Sequence, residues 1–216
     1  LRLVAPREYP HAEATARASG ADDILARARV HARLDEALEG CRLVMGASAR
    51  LRAVPWPQVE PRACAARLVA ESQAGPVALV MGRERTGLSN PELDRCHALV
   101  HIPANPGYSS LNLAMSVQVL AYELFLAARE APPPSGEAAR EVAPAEALEG
   151  FHRHLAQTLA DLGFSDPGQS DRLLRRLRRL FNRARPDRVE INILRGVLSA
   201  AQGRKSMRRE EPGADV

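Results

Sequence analysis

Between Gly82 and Asn112 the chain gathers side chains able to hold a polar ligand or manage a proton: Arg83, Glu84, Arg85, Asn105, Tyr108, Ser109, Ser110 and Asn112. Two guanidinium groups and a carboxylate supply fixed charge, while the hydroxyls and amides supply directional hydrogen bonds. Gly82 and Gly87 punctuate the same stretch, so backbone can come close to a ligand where a side chain would collide. Two glycines alone would be ordinary strand-to-loop punctuation. The density of polar groups beside apolar runs favours a polar ligand site, because cores exclude such groups unless they are partnered. The spacing is neither G-x-G-x-x-G nor G-x-x-x-x-G-K-[ST], so a dinucleotide or phosphate-cradling loop is unsupported. Ser110 has no His or Lys at a spacing that would activate it, which disfavours a serine nucleophile.

The flanking elements must bring these residues together. Val77–Met81 is a continuous apolar run of the length and Val/Leu content of a strand buried on both faces, and Ala98–Ile102 is a second. A Pro/Asn/Gly loop then leads into a long helix over about Leu111 to Arg129. Two strand ends and one helix start converge, the place where open α/β sheets bind ligands. Upstream, strands are expected at Leu1–Pro6, near Val30 and at Leu43–Gly46, with helices over Pro10–Ser19, Leu34–Leu38 and Pro61–Glu71. Ser89 and Glu92 form a capping box that opens a short helix. Alternating strands and helices imply an α/β fold with a mostly parallel sheet covered by helices on both faces. Leu113, Val117, Leu120, Leu124 and Ala128 mark a core-facing stripe of the long helix. Its other face, with Met115, Phe125 and Leu126, is also apolar, and a helix buried on two sides favours a homodimer interface.

Beyond the long helix, residues 131–144 are rich in Pro and small residues and read as a linker. Residues 145–203 form an all-α appendage of three helices, about Ala145–Leu162, Gln169–Ala184 and Asp187–Gln202, and residues 204–216 form a polar, disordered tail. Charge follows this division. Residues 1–144 balance 16 arginines against 16 acidic residues, whereas residues 145–216 carry 14 basic and 10 acidic ones, which places the whole net charge of +4 in the C-terminal third. A basic appendage on a neutral body suits a protein that grips a polyanion with one part and does chemistry with another. In the middle helix Leu173, Leu174, Leu177, Leu180 and Phe181 form an apolar stripe amid Arg172, Arg175, Arg176, Arg178, Arg179, Arg183 and Arg185. By pattern alone this run fits a solvated helix face, packing on a partner subunit, or phosphate contact.

Other classes are disfavoured. Cys41, Cys64 and Cys96 are odd in number and widely spaced, which suits buried small side chains rather than disulfides or a metal site. His152 and His154 lie two apart on a helix, the wrong spacing for a shared metal, so no metal is expected. Trp56, between Pro55 and Pro57, is expected to be a packing anchor. No apolar run is long enough for a bilayer and no signal peptide is present, so no membrane partner and a cytoplasmic protein are expected.

Gly82-Arg-Glu-Arg-Thr-Gly-Leu-Ser and Asn105-Pro-Gly-Tyr-Ser-Ser-Leu-Asn-Leu-Ala resemble the second and third signature motifs of the SpoU branch of the SPOUT RNA 2′-O-methyltransferases. Within that branch they are most similar to the tRNA (cytidine/uridine-2′-O-)-methyltransferases acting on nucleotide 32 of the anticodon loop. Guanosine-modifying relatives usually carry Asn-Glu in place of Arg83-Glu84 and lack the Asn-Pro-x-Tyr lead-in. The likeness extends through Gly46-Ala-Ser-Ala-Arg50, Val54-Pro-Trp-Pro57 and Leu177 to Pro186.

The resemblance implies a SPOUT domain over residues 1–130 with a C-terminal trefoil knot, S-adenosyl-L-methionine as cofactor, tRNA as partner and a homodimer. It implies cofactor contacts from Ala47, Ser48, Ala49, Gly82, Gly87, Ile102, Pro103, Ser109, Ser110 and Leu111, largely through backbone groups. It places Ser110 and Asn112 near the ribose, with Arg83 and Glu84 ordering the site or the subunit interface. Beside such a body, Arg172, Arg175, Arg176, Arg179 and Arg183 are expected to meet RNA phosphates, which arginine binds bidentately. In the family a strand and helix carrying an Asn and an Arg of the first motif precede the equivalent of Leu1, so the resemblance implies an N-terminally truncated domain and a chain that is inactive without that Arg. The activity it implies is 2′-O-methylation of ribose at cytidine or uridine 32 of tRNA. Another tRNA or rRNA site, or a catalytically silent RNA-binding relative, are the alternatives.

Overall fold

The computed structural model describes residues 1–49, 56–105, 107, 111–131, 142–164 and 171–203. Six short strands and nine helices alternate among them. The strands are β1 (Arg2–Val4), β2 (Arg29–His31), β3 (Leu43–Ala47), β4 (Gln58–Val59), β5 (Val77–Val80) and β6 (Ala98–Val100). The helices of the body are α1 (Ala12–Arg17), α2 (Asp22–Ala26), α3 (Leu34–Leu38), α4 (Pro61–Ser72), α5 (Asn90–Leu93) and α6 (Leu113–Glu130). Those of the appendage are α7 (Ala145–Asp161), α8 (Asp171–Ala184) and α9 (Arg188–Ala201).

All pairings between these strands are parallel, with β4-β6-β3-β5 as one sheet and β1-β2 as a separate pair. Side chains of a strand alternate between faces, and β3 shows what that does here. Leu43 and Met45 enter one apolar cluster with Cys64 and Leu68 of α4 and Leu120 of α6. Val44 enters the opposite cluster with Leu38, Cys41, Trp56, Leu88, Leu93, Cys96 and Leu99. The central strand is therefore buried on both faces, as its unbroken apolar run predicts. Two elements carry no signal in the sequence pattern, α2 and β4. The second is two residues long and too short to show a period.

The three cysteines are buried and free. Trp56 is the packing anchor its setting suggests: it is buried, and its indole N–H donates to the Cys96 carbonyl at 3.0 Å. The long helix starts two residues later than expected, because the Asn112 side chain caps it by accepting from the Ala114 N–H at 2.8 Å. Its core stripe also needs correction. Leu120 and Leu124 pack into the body, but Val117 is exposed and so is Ala128. Leu111, Met115, Tyr122 and Phe125 are exposed as well. Within α6, Met115, Tyr122 and Phe125 are spaced by seven and three and so share one side of the helix, with Leu111 just ahead of its cap.

The appendage has its own small core of Ala143, Leu148, Phe151 and Ile191, with Phe181, Leu194 and Leu198 against it. Of the stretch expected to be a linker, 132–141 lie outside the described residues, whereas Val142 and Ala143 are buried and Val142 bridges to Asp187. The residues of the expected tail, 204–216, also lie outside. Among the described residues no helix is long and apolar enough to cross a membrane.

Candidate functional site

The carboxyl ends of β3, β5 and β6 and the start of α6 frame one cleft. Ala47, Ser48 and Ala49 come from the turn after β3, and Gly82, Arg83, Glu84 and Gly87 from the loop after β5. Ile102 follows β6, and Leu111 precedes α6. Much of this lining is thus legible in the sequence motifs. Met81, Val100 and Ser116 lie outside those motifs, and Thr86, Leu88 and Leu113 lie inside them without having been expected to touch a ligand. Val100 and Leu113 read as core by pattern, so no local signal could have set them apart.

Some expected site residues stand elsewhere. Pro103 and Asn112 are both exposed; neither lines the cleft, although each is next in sequence to a residue that does. Asn112 uses its side-chain oxygen as the α6 cap, which leaves its amide NH2 as the group with donors to offer. Ser109 and Ser110 lie outside the described residues, as do Arg50 and Tyr108.

The loop after β5 has a defined shape. The Gly87 N–H donates to the Arg83 carbonyl at 2.8 Å and the Arg83 N–H to the Gly87 carbonyl at 3.3 Å, closing a tight turn over Glu84, Arg85 and Thr86. Gly87 has φ +66, and a Cβ on Gly82 would lie 2.2 Å from the Gly87 carbonyl carbon. Both glycines are thus required by the turn itself. The Arg83 guanidinium forks onto Glu92, with Nη1 to Oε2 at 3.2 Å and Nη2 to Oε1 at 3.1 Å. Burial works against the Glu92 carboxylate, but the Ser89 backbone N–H and Arg83 together hold its pKa below the usual range. On the β3 side, the Ser48 N–H donates to the Val100 carbonyl at 3.1 Å, which pins that turn to β6.

The lining mixes apolar walls (Ala47, Met81, Leu88, Val100, Ile102, Leu113) with charged and hydroxyl groups at the rim. That is a suitable environment for a ligand with a flat aromatic ring at one end and charged groups towards the other, and S-adenosylmethionine, with its adenine, sulfonium and amino-acid end, is such a molecule. The backbone approach made possible by Gly82 and Gly87 belongs to the same fit.

The appendage sits directly on the body, at the end of the sheet where β3 and β6 begin rather than at the carboxyl ends that frame the cleft. Gly40 donates to the Glu146 carboxylate at 3.0 Å, and Ala145 to the Cys41 carbonyl at 3.1 Å. Glu149 pairs with Arg95 at 3.3 Å and with Arg178. Arg185 grips Glu71 with Nη1 at 2.5 Å and Nη2 at 2.8 Å, and that contact, first among several, holds the Glu71 carboxyl low.

The arginines of α8 divide by face. Arg175, Arg178, Asn182 and Arg185 recur at steps of three and four and point into the body. Arg175 donates to Asp94 at 3.0 Å and lies over the Trp56 ring, 5.9 Å from its centroid. The expectation that Arg175 faces RNA meets this pairing: its side chain is only 18% exposed, and a guanidinium already committed to a carboxylate is poorly placed for phosphate. Arg172, Arg176 and Arg183 face outward, and Arg179 completes their line half-buried.

Comparison with known proteins agrees with both halves of this layout. Residues 1–122 match the SpoU rRNA Methylase family, and residues 146–212 match the domain described as tRNA methyltransferase TrmJ, C-terminal domain. The chain is 50% identical over 205 residues to the tRNA (cytidine/uridine-2′-O-)-methyltransferase TrmJ of Pectobacterium atrosepticum, covering 94% of this chain and 85% of that protein. It is 51% identical over 208 residues to the protein of the same name from Klebsiella pneumoniae, covering 94% and 84%. Among solved structures it superposes on TrmJ from Z. mobilis ZM4 with a TM-score of 0.78 at 36% identity, covering 93% of this chain and 85% of that one. A probable methylase family protein from Haemophilus influenzae Rd KW20 gives a TM-score of 0.57 at 41% identity, covering 94% and 84%. With its α/β body matched along most of its length and a TrmJ-type helical appendage behind it, the chain belongs to the SpoU methylase family.

Proposed function

We propose that this protein transfers a methyl group from S-adenosyl-L-methionine to the ribose 2′-oxygen of cytidine or uridine 32 in the tRNA anticodon loop. One observation carries the reading. The residues matching the family's motifs converge at the strand ends in a cleft that suits the cofactor, in a chain half identical to tRNA 2′-O-methyltransferases.

The cofactor supplies the electrophilic methyl group; the chain's own residues have to place, orient and shield. A ribose hydroxyl is weakly acidic, so most of the acceleration comes from holding it in line with the donor in a dry pocket. Ala47, Ser48, Ala49, Gly82, Gly87, Ile102 and Leu111 hold the cofactor, with Pro103, Ser109 and Ser110 assigned to the same task by the family motif. Ser110 and Asn112 orient the ribose. Arg83 and Glu84 stand at the rim, where Arg83 offers a fixed cation to the incoming nucleotide. Arg172, Arg176, Arg179 and Arg183 meet tRNA phosphates along one face of α8. Arg175 is left out of that set because Asp94 holds it.

The same reading includes a homodimer built on the exposed Met115, Tyr122 and Phe125 of α6, with Leu111 just ahead of it, an apolar surface that water would otherwise cover. It includes the trefoil knot of the SPOUT fold, residues 131–141 as the connection to the appendage, and a cytoplasmic setting alongside tRNA.

The test is methyl transfer from labelled S-adenosylmethionine to unmodified tRNA, using protein expressed from the full coding sequence, with the labelled nucleotide then mapped. Label on the ribose of nucleotide 32 is the expected result. Label at another position would replace the substrate assignment. Tight tRNA binding with no transfer would leave an RNA-binding protein and end the enzyme assignment.

A further inference from the structure

The four-residue helix α5 is fastened at both ends. At its start, Glu92 accepts the Ser89 N–H at 2.7 Å and receives the forked Arg83 guanidinium at 3.1 and 3.2 Å. Its last residue, Leu93, is anchored in the core at 1% exposure. At its end, Asp94 takes Arg175 of α8 at 3.0 Å, and the Asp94 carbonyl accepts Arg178 and Asn182, both at 3.4 Å. Arg83 has a mostly exposed side chain (65%), while that of Glu92 is 22% exposed. An exposed arginine ordinarily samples many rotamers, and freezing it against a ligand costs conformational entropy. Here the side chain is held before any ligand arrives, by a carboxylate that cannot itself move without uncapping α5. The two contacts, one of them a hydrogen bond, restrict how the guanidinium can turn.

Resting on the methyltransferase reading, we propose that Glu92 is a positioning residue for the transfer site: it aims the Arg83 guanidinium at the rim of the cleft, using α5 as a rigid mount. Glu92 touches neither cofactor nor ribose in this role; it acts only through Arg83. The turn that walls the cofactor is closed by the Arg83 backbone and not by its side chain, so the consequence of losing the pair falls on the incoming RNA.

A double-mutant cycle between Glu92→Gln and Arg83→Ala tests this, with kcat, KM for unmodified tRNA and Kd for S-adenosylmethionine measured on the full-length protein. Gln at this position still accepts the Ser89 N–H and so keeps the capping box, but it loses the charge that holds the fork. The expected result is a three- to tenfold drop in kcat/KM for tRNA with Glu92→Gln and a cofactor Kd within twofold of the unsubstituted protein. In the Arg83→Ala background the same Glu92→Gln change should alter kcat/KM by less than twofold, because its target is gone. Multiplicative effects of the two changes overturn the proposal and leave Glu92 as a helix cap only. Should Glu92→Gln fail to fold, Arg83→Lys answers from the other side: it keeps the charge and loses the fork. A three- to tenfold drop supports the proposal, and full activity overturns it. If the unsubstituted protein transfers no methyl group, the methyltransferase reading fails and takes this proposal with it; if transfer is normal and the cycle multiplicative, only the positioning role falls.

Discussion

Arg175 of α8 and Asp94 at the end of α5 meet at 3.0 Å although 81 residues separate them, and both side chains are less than a fifth exposed. The pair joins the basic appendage to the body one helix away from the cleft. An ion pair so enclosed does not by itself argue for high stability, since removing two charges from water is costly. Breaking one partner is another matter, because the survivor is left charged and dry.

Arg175→Ala should therefore lower the unfolding free energy by about 1–3 kcal/mol, the cost of a buried polar group left without its partner. Urea denaturation checks this. Arg176→Ala, one position along and exposed, should stay within about 0.5 kcal/mol of the unsubstituted protein. Equal losses at the two sites would mean that α8 does not dock as described.

The outward line gives the complementary prediction. Replacing Arg172, Arg176 and Arg183 together with Gln should weaken tRNA binding with little change in stability. It should also flatten the dependence of log K on log salt by about one unit for each phosphate that is no longer neutralised. Filter binding or anisotropy at four or five salt concentrations measures this. A slope that does not change would place the phosphate-binding arginines on some other surface.

These two predictions also mark where the sequence stops being legible. Periodicity identifies the strands: Leu43–Met45 is buried on both faces of the parallel sheet, whereas Val77–Val80, expected to be buried likewise, lies at the sheet's edge and is only half-buried, because a strand's place in the sheet order is not written in its own run. Motif residues such as Gly82 and Gly87 announce the cleft, since a turn of this closeness leaves no alternative to glycine. Arginine is different. Arg175 and Arg176 are adjacent and chemically identical, and only the placement of Asp94 on another helix makes one a tether and the other a surface cation. The same limit explains Val117 and Ala128. Helical spacing assigns them to a face, but which of two apolar faces meets α4 is decided by tertiary packing.

The boundary between body and appendage should be sensitive to mild acid. His97 is buried under β3 and accepts the Val44 N–H at 3.0 Å; His152 is buried in α7 with Nε2 3.1 Å from Asn182 Oδ1. Burial first, then Arg185 and Arg67 beside His97 and Arg178 beside His152, push both imidazoles down to about 4, with Glu71 and Glu149 opposing only in part. Unfolded histidine titrates near ~6.5. The unfolded chain thus binds protons that the folded chain refuses, and stability present above pH ~6.5 is lost as pH falls towards about 4. Each imidazole can contribute on the order of 3 kcal/mol over that span. Glu71 and Asp35, held low by Arg185 and Arg95, lose their share only below the ordinary carboxylate range, so the window between pH ~6.5 and ~5 reports the imidazoles. Unfolding free energies at pH 7.5, 6 and 5 should fall in that order, and His152→Gln should reduce the slope.

The last prediction concerns the cleft wall. An alanine methyl at Gly82 would lie 2.2 Å from the Gly87 carbonyl carbon and 2.4 Å from the Leu88 nitrogen, both backbone atoms that no rotamer change can move aside. The Arg83–Gly87 turn must open to admit it, which displaces Gly82 and Gly87 from the wall they form. Gly82→Ala should weaken S-adenosylmethionine binding at least tenfold, equivalent to about 1.4 kcal/mol. Gly150→Ala serves as the contrast. Its added methyl meets no atom within 4 Å, in the middle of α7, so this change should leave cofactor binding alone and raise stability by up to about 1 kcal/mol through helix propensity. Calorimetric titration separates the two. Normal cofactor affinity in folded Gly82→Ala protein would show that the cofactor does not rest on this turn, and the cleft between β3, β5 and β6 would lose its claim to be the site.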